Sequence, residues 1–175
     1  MISRLTASNT QTMRLFYALW PDQATRAALT AWQAQVQGRK TLADNLHITL
    51  AFLGQQPIAL LPALKAILKQ LPPAELTLVL DRIGYFPRHR IVWAGASALP
   101  EALLSLQQTL LQALAQHGMA LTDQPGFQPH VTLARDALRP PEIALQPVIW
   151  RVRQMVLVQS STQAQAAFYR VLASR

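Results

Sequence analysis

Asn45 to Gly54 reads NLHITLAFLG, and Phe127 to Arg135 reads FQPHVTLAR. The tetrad His-Ile-Thr-Leu (His47 to Leu50) thus returns as His-Val-Thr-Leu (His130 to Leu133), once in each half of a 175-residue chain. Both stretches are short and apolar at alternate positions, which predicts strands over Asn45–Leu53, closed by Gly54, and from about His130 to Arg135. Alternate side chains on a strand share a face. His47 and Thr49 therefore point one way while Ile48, Leu50 and Phe52 point the other. His130 and Thr132 likewise oppose Val131 and Leu133. Each copy follows a predicted helix, so the repeat implies two pseudo-symmetric lobes, each supplying one His-x-Thr-x motif.

Working outward, Arg14–Trp20 (RLFYALW) reads as a buried strand stopped by Pro21. Asp22 can cap a helix reaching about Gln37 and ended by Gly38. Pro57–Gln70 reads as a second helix, ended by Leu71-Pro72-Pro73. Glu75–Phe86 and Arg90–Ala96 read as strands around a turn at Pro87-Arg88-His89. Ala98–His117 is the longest helical pattern, with Gly118 as its stop. Asp123–Gly126 is a predicted turn, Val148–Gln159 one long strand, and Ala167–Leu172 a final strand. Runs of this kind predict an α+β fold with antiparallel or mixed sheets around a central groove and helices outside.

Met1 to Thr12 is polar and lacks the apolar run of a signal peptide, so it is expected to be a disordered lead before one catalytic domain, Met13 to Arg175. There is no run of ~20 apolar residues, hence no expected transmembrane helix. Cysteine is absent from the chain, which excludes disulfides and thiolate metal sites and suits a reducing cytoplasm. Lys plus Arg number 16 against 8 Asp plus Glu, a net charge of +8, and Lys40, Lys65 and Lys69 are the only lysines. Arginine grips phosphate in a planar, two-pronged way, so the excess is consistent with a polyanionic partner such as RNA, and equally with plain solubility.

Two imidazoles and two hydroxyls around one cleft suit a phosphodiester. One ring can accept a proton while the other donates one. The hydroxyls can donate to non-bridging oxygens, and arginine can balance the charge that builds there. The two histidines have no carboxylate cluster beside them, so no metal and no cofactor are expected. Of the four histidines, His89 and His117 read as a turn residue and a helix-end residue.

The words RLFYALWP, NLHITLAFLG, FQPHVTLAR and SSTQAQAAFYRVL together resemble the bacterial RNA 2′,3′-cyclic phosphodiesterase / 2′-5′ RNA ligase family, within the two-histidine phosphoesterase superfamily. The resemblance spans Met13 to Leu172. It implies a bilobal fold with a pseudo-twofold axis. It also implies hydrolysis of terminal 2′,3′-cyclic phosphates on RNA to 2′-phosphates and, as in some members, reversible ATP-independent 2′-5′ joining of RNA ends such as tRNA halves. Carried over, His47 and His130 are the catalytic pair, with His130 as base and His47 as acid, and Thr49, Thr132 and Arg135 hold the phosphate. Arg135 lies five residues past His130, so a regular strand would turn it away, and a strand end or bulge after Leu133 is needed. Phe127, Arg88 and Arg90 are candidate RNA contacts, among further aromatic candidates Phe16, Tyr85, Trp93 and Tyr169. A monomer is expected. Two alternatives stay open: a phosphodiesterase of small cyclic nucleotides or 2′-5′ oligoadenylates, and a non-catalytic RNA-binding module.

Overall fold

The computed structural model describes residues 11–119, 121, 126–163 and 166–175. Most of the expected lead and most of the expected turn at 123–126 lie outside them. Gln11, at the end of that lead, accepts a backbone hydrogen bond from Ile58, and Thr12 opens the first strand.

The elements run β1 (Thr12–Leu19), α1 (Gln23–Gln33), β2 (Arg39–Lys40), β3 (Ile48–Pro57), α2 (Leu61–Gln70), β4 (Leu76–Leu80), β5 (Arg82–Phe86), β6 (Ile91–Gly95), α3 (Glu101–Gln116), β7 (Val131–Arg135), β8 (Val148–Val152), β9 (Met155–Gln163) and β10 (Ala166–Ser174). The fold is α+β. The main sheet has the order β10-β9-β1-β3-β7-β6-β5, with β2 beside β7, and β4 pairs β8 in a second, two-stranded sheet. All these pairings are antiparallel.

The internal repeat is visible in the wiring. β1-α1-β3 and β6-α3-β7 are the same unit, two antiparallel neighbours joined through a helix. The two units meet where β3 and β7 pair, at Ile48↔Val131. These are the middle residues of the two His-x-Thr triplets.

Helix α1 starts where Asp22 accepts a hydrogen bond from the Thr25 N–H at 2.8 Å, satisfying one of the free donors of the first turn. Its buried Thr25, Leu29 and Trp32 fall at helical spacing. α2 and α3 bury Leu64, Ile67 and Leu68, and Leu103, Leu106, Leu110 and Leu114. They pack, with Leu15, Tyr17 and Leu19 of β1 and Ile48 and Leu50 of β3, into the main core. Burying each such aliphatic side chain contributes roughly 1.5–3 kcal/mol. The opposite face of β1 carries Phe16 and Ala18, which join Val156 and Val158 in a small separate cluster edged by Trp20 and Tyr169. This second face positions the site.

Several predicted boundaries differ: α1 ends at Gln33 rather than Gln37, and β3 runs on to Pro57 so that α2 starts only at Leu61. The stretches at Glu75–Phe86 and Val148–Gln159 each divide into two strands, because their halves serve different sheets: β4 and β8 pair with each other, β5 with β6, and β9 with β1 and β10. Gly54 does not close β3. It sits inside the strand at φ +68, next to a register shift against Leu15 and Phe16. Both histidines stand one residue before their strands rather than on them. Pro129 has no N–H to extend the ladder ahead of His130, and a 3-10 turn at Ala43–Asn45 precedes His47.

Gly38 adopts φ +115, and a Cβ there would lie 2.8 Å from the Ala137 Cα and the Arg135 carbonyl. Only glycine fits, and its conformation leads the chain into β2, where Arg39 pairs with Arg135. Gly38→Ala is expected to cost about 1–3 kcal/mol, read as a lower urea midpoint with an unchanged slope.

Candidate active site

The pairing Ile48↔Val131 fixes the site's geometry. Continuing that antiparallel register by one residue sets His47 across from Thr132 and Thr49 across from His130. Two imidazoles and two hydroxyls then occupy alternate corners of a small quadrilateral. The histidines lie on its diagonal, a separation of about 7–8 Å between backbones, which leaves room for one phosphate between the rings. All four side chains line one pocket of about 550 Å³, together with Arg14, Arg39, Lys40, Asn45, Phe52, Arg135 and Tyr169.

The two imidazoles are held alike. Nδ1 of His47 lies 2.6 Å from the Asn45 carbonyl, and Nδ1 of His130 lies 2.7 Å from the Gln128 carbonyl. Each acceptor is the carbonyl two residues upstream. Because a carbonyl only accepts, Nδ1–H donates in both rings, and in the neutral tautomer Nε2 keeps its lone pair. Nε2 of His47 lies 3.1 Å from the Thr49 hydroxyl, which donates to it. Aromatic rings flank each imidazole. Phe16, Trp20 and Tyr169 surround His47 at centroid distances of 4.9, 5.7 and 5.3 Å. Phe86 and Trp93 stand 5.1 and 6.3 Å from His130.

This packing sets the electrostatics. Removal from water disfavours the imidazolium and pushes His47 down to about 4, helped by the neighbouring His130 and Arg135; the bond to Asn45 opposes it. Burial lowers His130 as well, again with Arg135 pulling in the same direction against the bond to Gln128. Both rings are therefore neutral in the empty site at neutral pH. A bound phosphate anion favours their protonation.

Arg135 reaches the pocket because of a bulge. Val92 and Trp93, adjacent on β6, pair with Ala134 and Thr132, which leaves Leu133 as an extra residue. Leu133 and Ala134 are both buried, the alternation reverses, and Arg135 emerges on the Thr132 side. The same device appears in the first copy. Tyr17 and Ala18 pair with Ala51 and Thr49, Leu50 is the extra residue, and Phe52 emerges on the Thr49 side. The expectation that Phe52 shares the face of Leu50 is thereby overturned. The Arg14 guanidinium lies 4.7 Å over its ring.

Phe127 is half-buried and lines a separate, smaller cavity that also reaches His130. Arg88 and Arg90 sit exposed on the β5–β6 turn and do not line the main pocket. Arg90 donates to the Asp136 carbonyl at 3.4 Å, and the Asp136 carboxylate pairs with Arg39 at 3.0 Å. Tyr85 donates to the Ala137 carbonyl. Sequence reasoning missed Arg14, Arg39, Lys40 and Phe52. For Phe52 a signal existed: aligning the two tetrads puts it in the position of Arg135, five residues past its histidine. Among the described residues no three His, Asp or Glu side chains converge in a way that could hold a metal ion, and no helix is long and apolar enough to cross a membrane.

Comparison with known proteins bears on most of the chain. The model of the 2′-5′ RNA ligase superfamily matches residues 20–164. The RNA 2′,3′-cyclic phosphodiesterase of Escherichia coli is 37% identical over 128 residues, 71% of this chain and 72% of that protein. The Thermus thermophilus protein of the same name is 34% identical over 91% of this chain and 88% of its own length. The crystal structure of Escherichia coli LigT in its apo form superposes with a TM-score of 0.82 at 31% identity, covering 94% of this chain and 97% of that one. With paired His-x-Thr strands meeting at one rung, and with sequence and fold agreeing over most of its length, this chain belongs to the 2′-5′ RNA ligase superfamily.

Proposed function

We propose that the protein is an RNA 2′,3′-cyclic phosphodiesterase that opens a terminal 2′,3′-cyclic phosphate to a 2′-phosphate. The observation that carries this reading is the diagonal of two imidazoles, each with a hydroxyl across from it, on the floor of a pocket edged by Arg14, Arg39, Lys40 and Arg135. Water attacks phosphorus in line with the bond to O3′. Following the family's assignment, His130 Nε2 takes the water's proton and His47 Nε2 protonates O3′ as it leaves. Thr49 and Thr132 donate to the non-bridging oxygens, and Arg135 balances the charge that accumulates there. The reverse sequence, with a 5′-hydroxyl in place of water, joins two ends through a 2′-5′ linkage without ATP. The scheme draws on no cofactor.

The substrate we assign is RNA with a cyclic phosphate end, such as a tRNA half, in a reducing cytoplasm, handled by a monomer. The test is product analysis on an RNA oligomer ending in a 2′,3′-cyclic phosphate, with chelator present and no ATP. A 2′-phosphate is the expected product. A 3′-phosphate means the other oxygen leaves, and binding without turnover refutes the enzyme reading. Running a nucleoside 2′,3′-cyclic phosphate in parallel separates an RNA enzyme, which favours the oligomer, from one acting on small nucleotides.

The pH profile follows from the two depressed pKa values. The base must be neutral and the acid protonated, so activity peaks between the two values of the pair. Both lie below the ordinary histidine value of 6.5 in the free enzyme. The maximum of kcat/KM is therefore expected below pH 6.5, falling as pH rises past it. In the complex the phosphate anion raises both values, so the kcat profile is displaced to higher pH. Coincident profiles centred above neutrality would refute the desolvation argument.

A further inference from the structure

The main pocket contains both histidines, but a second cavity of about 260 Å³ contains His130 alone of the pair, along with Arg82, Phe86, Trp93, Leu99 and Phe127. His130 is the one residue the two cavities share. The second lies just under the ~300 Å³ at which pockets begin to hold drug-sized ligands, which suits a single flat ring. Three of its walls are aromatic, and the Arg82 guanidinium stands 5.3 Å from the Trp93 ring centroid. The indole lies across the sheet over Gly84 and Gly95, where a Cβ at either position would collide with its ring. The Trp93 indole N–H is buried and meets no acceptor among the described residues.

Resting on the proposed function, we infer that this cavity receives the base of the nucleotide that supplies the 5′-hydroxyl in 2′-5′ joining and carries it away in 2′-5′ cleavage. The geometry follows from the roles of the two rings. The nucleophile must lie on the side of the ring that takes its proton, His130. Water ends there, but a 5′-hydroxyl brings a ribose and a base that must continue past His130, and the aromatic cavity is what lies there. In joining, the O5′–P bond forms and the P–O3′ bond breaks. The 5′-hydroxyl proton passes to His130 and O3′ takes one from His47; cleavage of the 2′-5′ linkage reverses each transfer. The nucleoside bearing the cyclic phosphate then occupies the main pocket, which Tyr169 and Lys40 help to line.

The test compares two substrates sharing one nucleoside: its 2′,3′-cyclic phosphate, and a 2′-5′-linked diribonucleotide with that nucleoside on the 2′ side. Leu99→Trp narrows the cavity from its rim, and Arg82→Ala removes the cation over Trp93. Each is expected to lower kcat/KM on the dinucleotide about ten-fold, mainly through KM, and to leave cyclic phosphate hydrolysis within about two-fold of wild type. If both substrates lose equally, the cavity serves the cyclic end or merely supports His130, and the inference is overturned. It is overturned too if neither loses. A wild-type protein that hydrolyses the cyclic phosphate but does not cleave the dinucleotide overturns the inference alone, whereas turnover of neither removes the proposed function with it.

Discussion

His47→Ala and His130→Ala are each expected to lower opening of a 2′,3′-cyclic phosphate by about 10²–10⁴-fold, the usual worth of one general acid or base. Both rings hold Nδ1 on a carbonyl and line the same pocket, so each loss removes one proton transfer and leaves the phosphate contacts in place. The double variant is expected to lose little more than the worse single one, because a pair that acts as a unit is not additive. Turnover is followed by chromatography of the 2′-phosphate product. Both variants should keep the wild-type circular dichroism, since each histidine stands just outside its strand and the core beneath is formed by Ile48 and Val131. Near wild-type turnover in either single variant would end the acid–base assignment.

Arg135→Ala is expected to lower kcat/KM by about 10²-fold, as removal of a preorganised charge at a developing oxyanion does. Arg135→Lys should recover part of this, keeping the charge but losing the two-pronged grip. A second readout separates this role from a structural one. The Arg135 charge helps hold both imidazoles below their ordinary pKa. Without it both values rise, so the kcat/KM bell of Arg135→Ala should move to higher pH. A reduced but unshifted profile would count against Arg135 facing the two rings.

The repeated tetrads were legible because a strand's period of two is written directly in the residues. Four corner side chains, the half of the chain each lies in and the helices between them follow from that period and from the Gly and Pro stops. What was hidden depends on partners. The bulges at Leu50 and Leu133 exist because β1 and β6 skip a residue there, and the skipped leucines look like any other strand leucine. So Phe52 was assigned to the wrong face, and Arg135 could be turned inward only by invoking a bulge. The run Val148–Gln159 is interrupted in sequence only at Arg153-Gln154, yet its halves join different sheets, a fact set by β4 and β1 far away in the chain. Arg39 and Lys40 enter the pocket through a two-residue strand beside β7, too short to leave a pattern.

The carbonyls beneath the two imidazoles have a consequence for mutational tolerance. In many enzymes the group that orients a catalytic histidine is a carboxylate, and one nucleotide change can delete it. Here the peptide oxygens of Asn45 and Gln128 orient the two imidazoles, and they persist whatever side chain those codons specify. The orienting element is thus beyond the reach of ordinary substitution. Only a change in the path of the main chain itself would remove it.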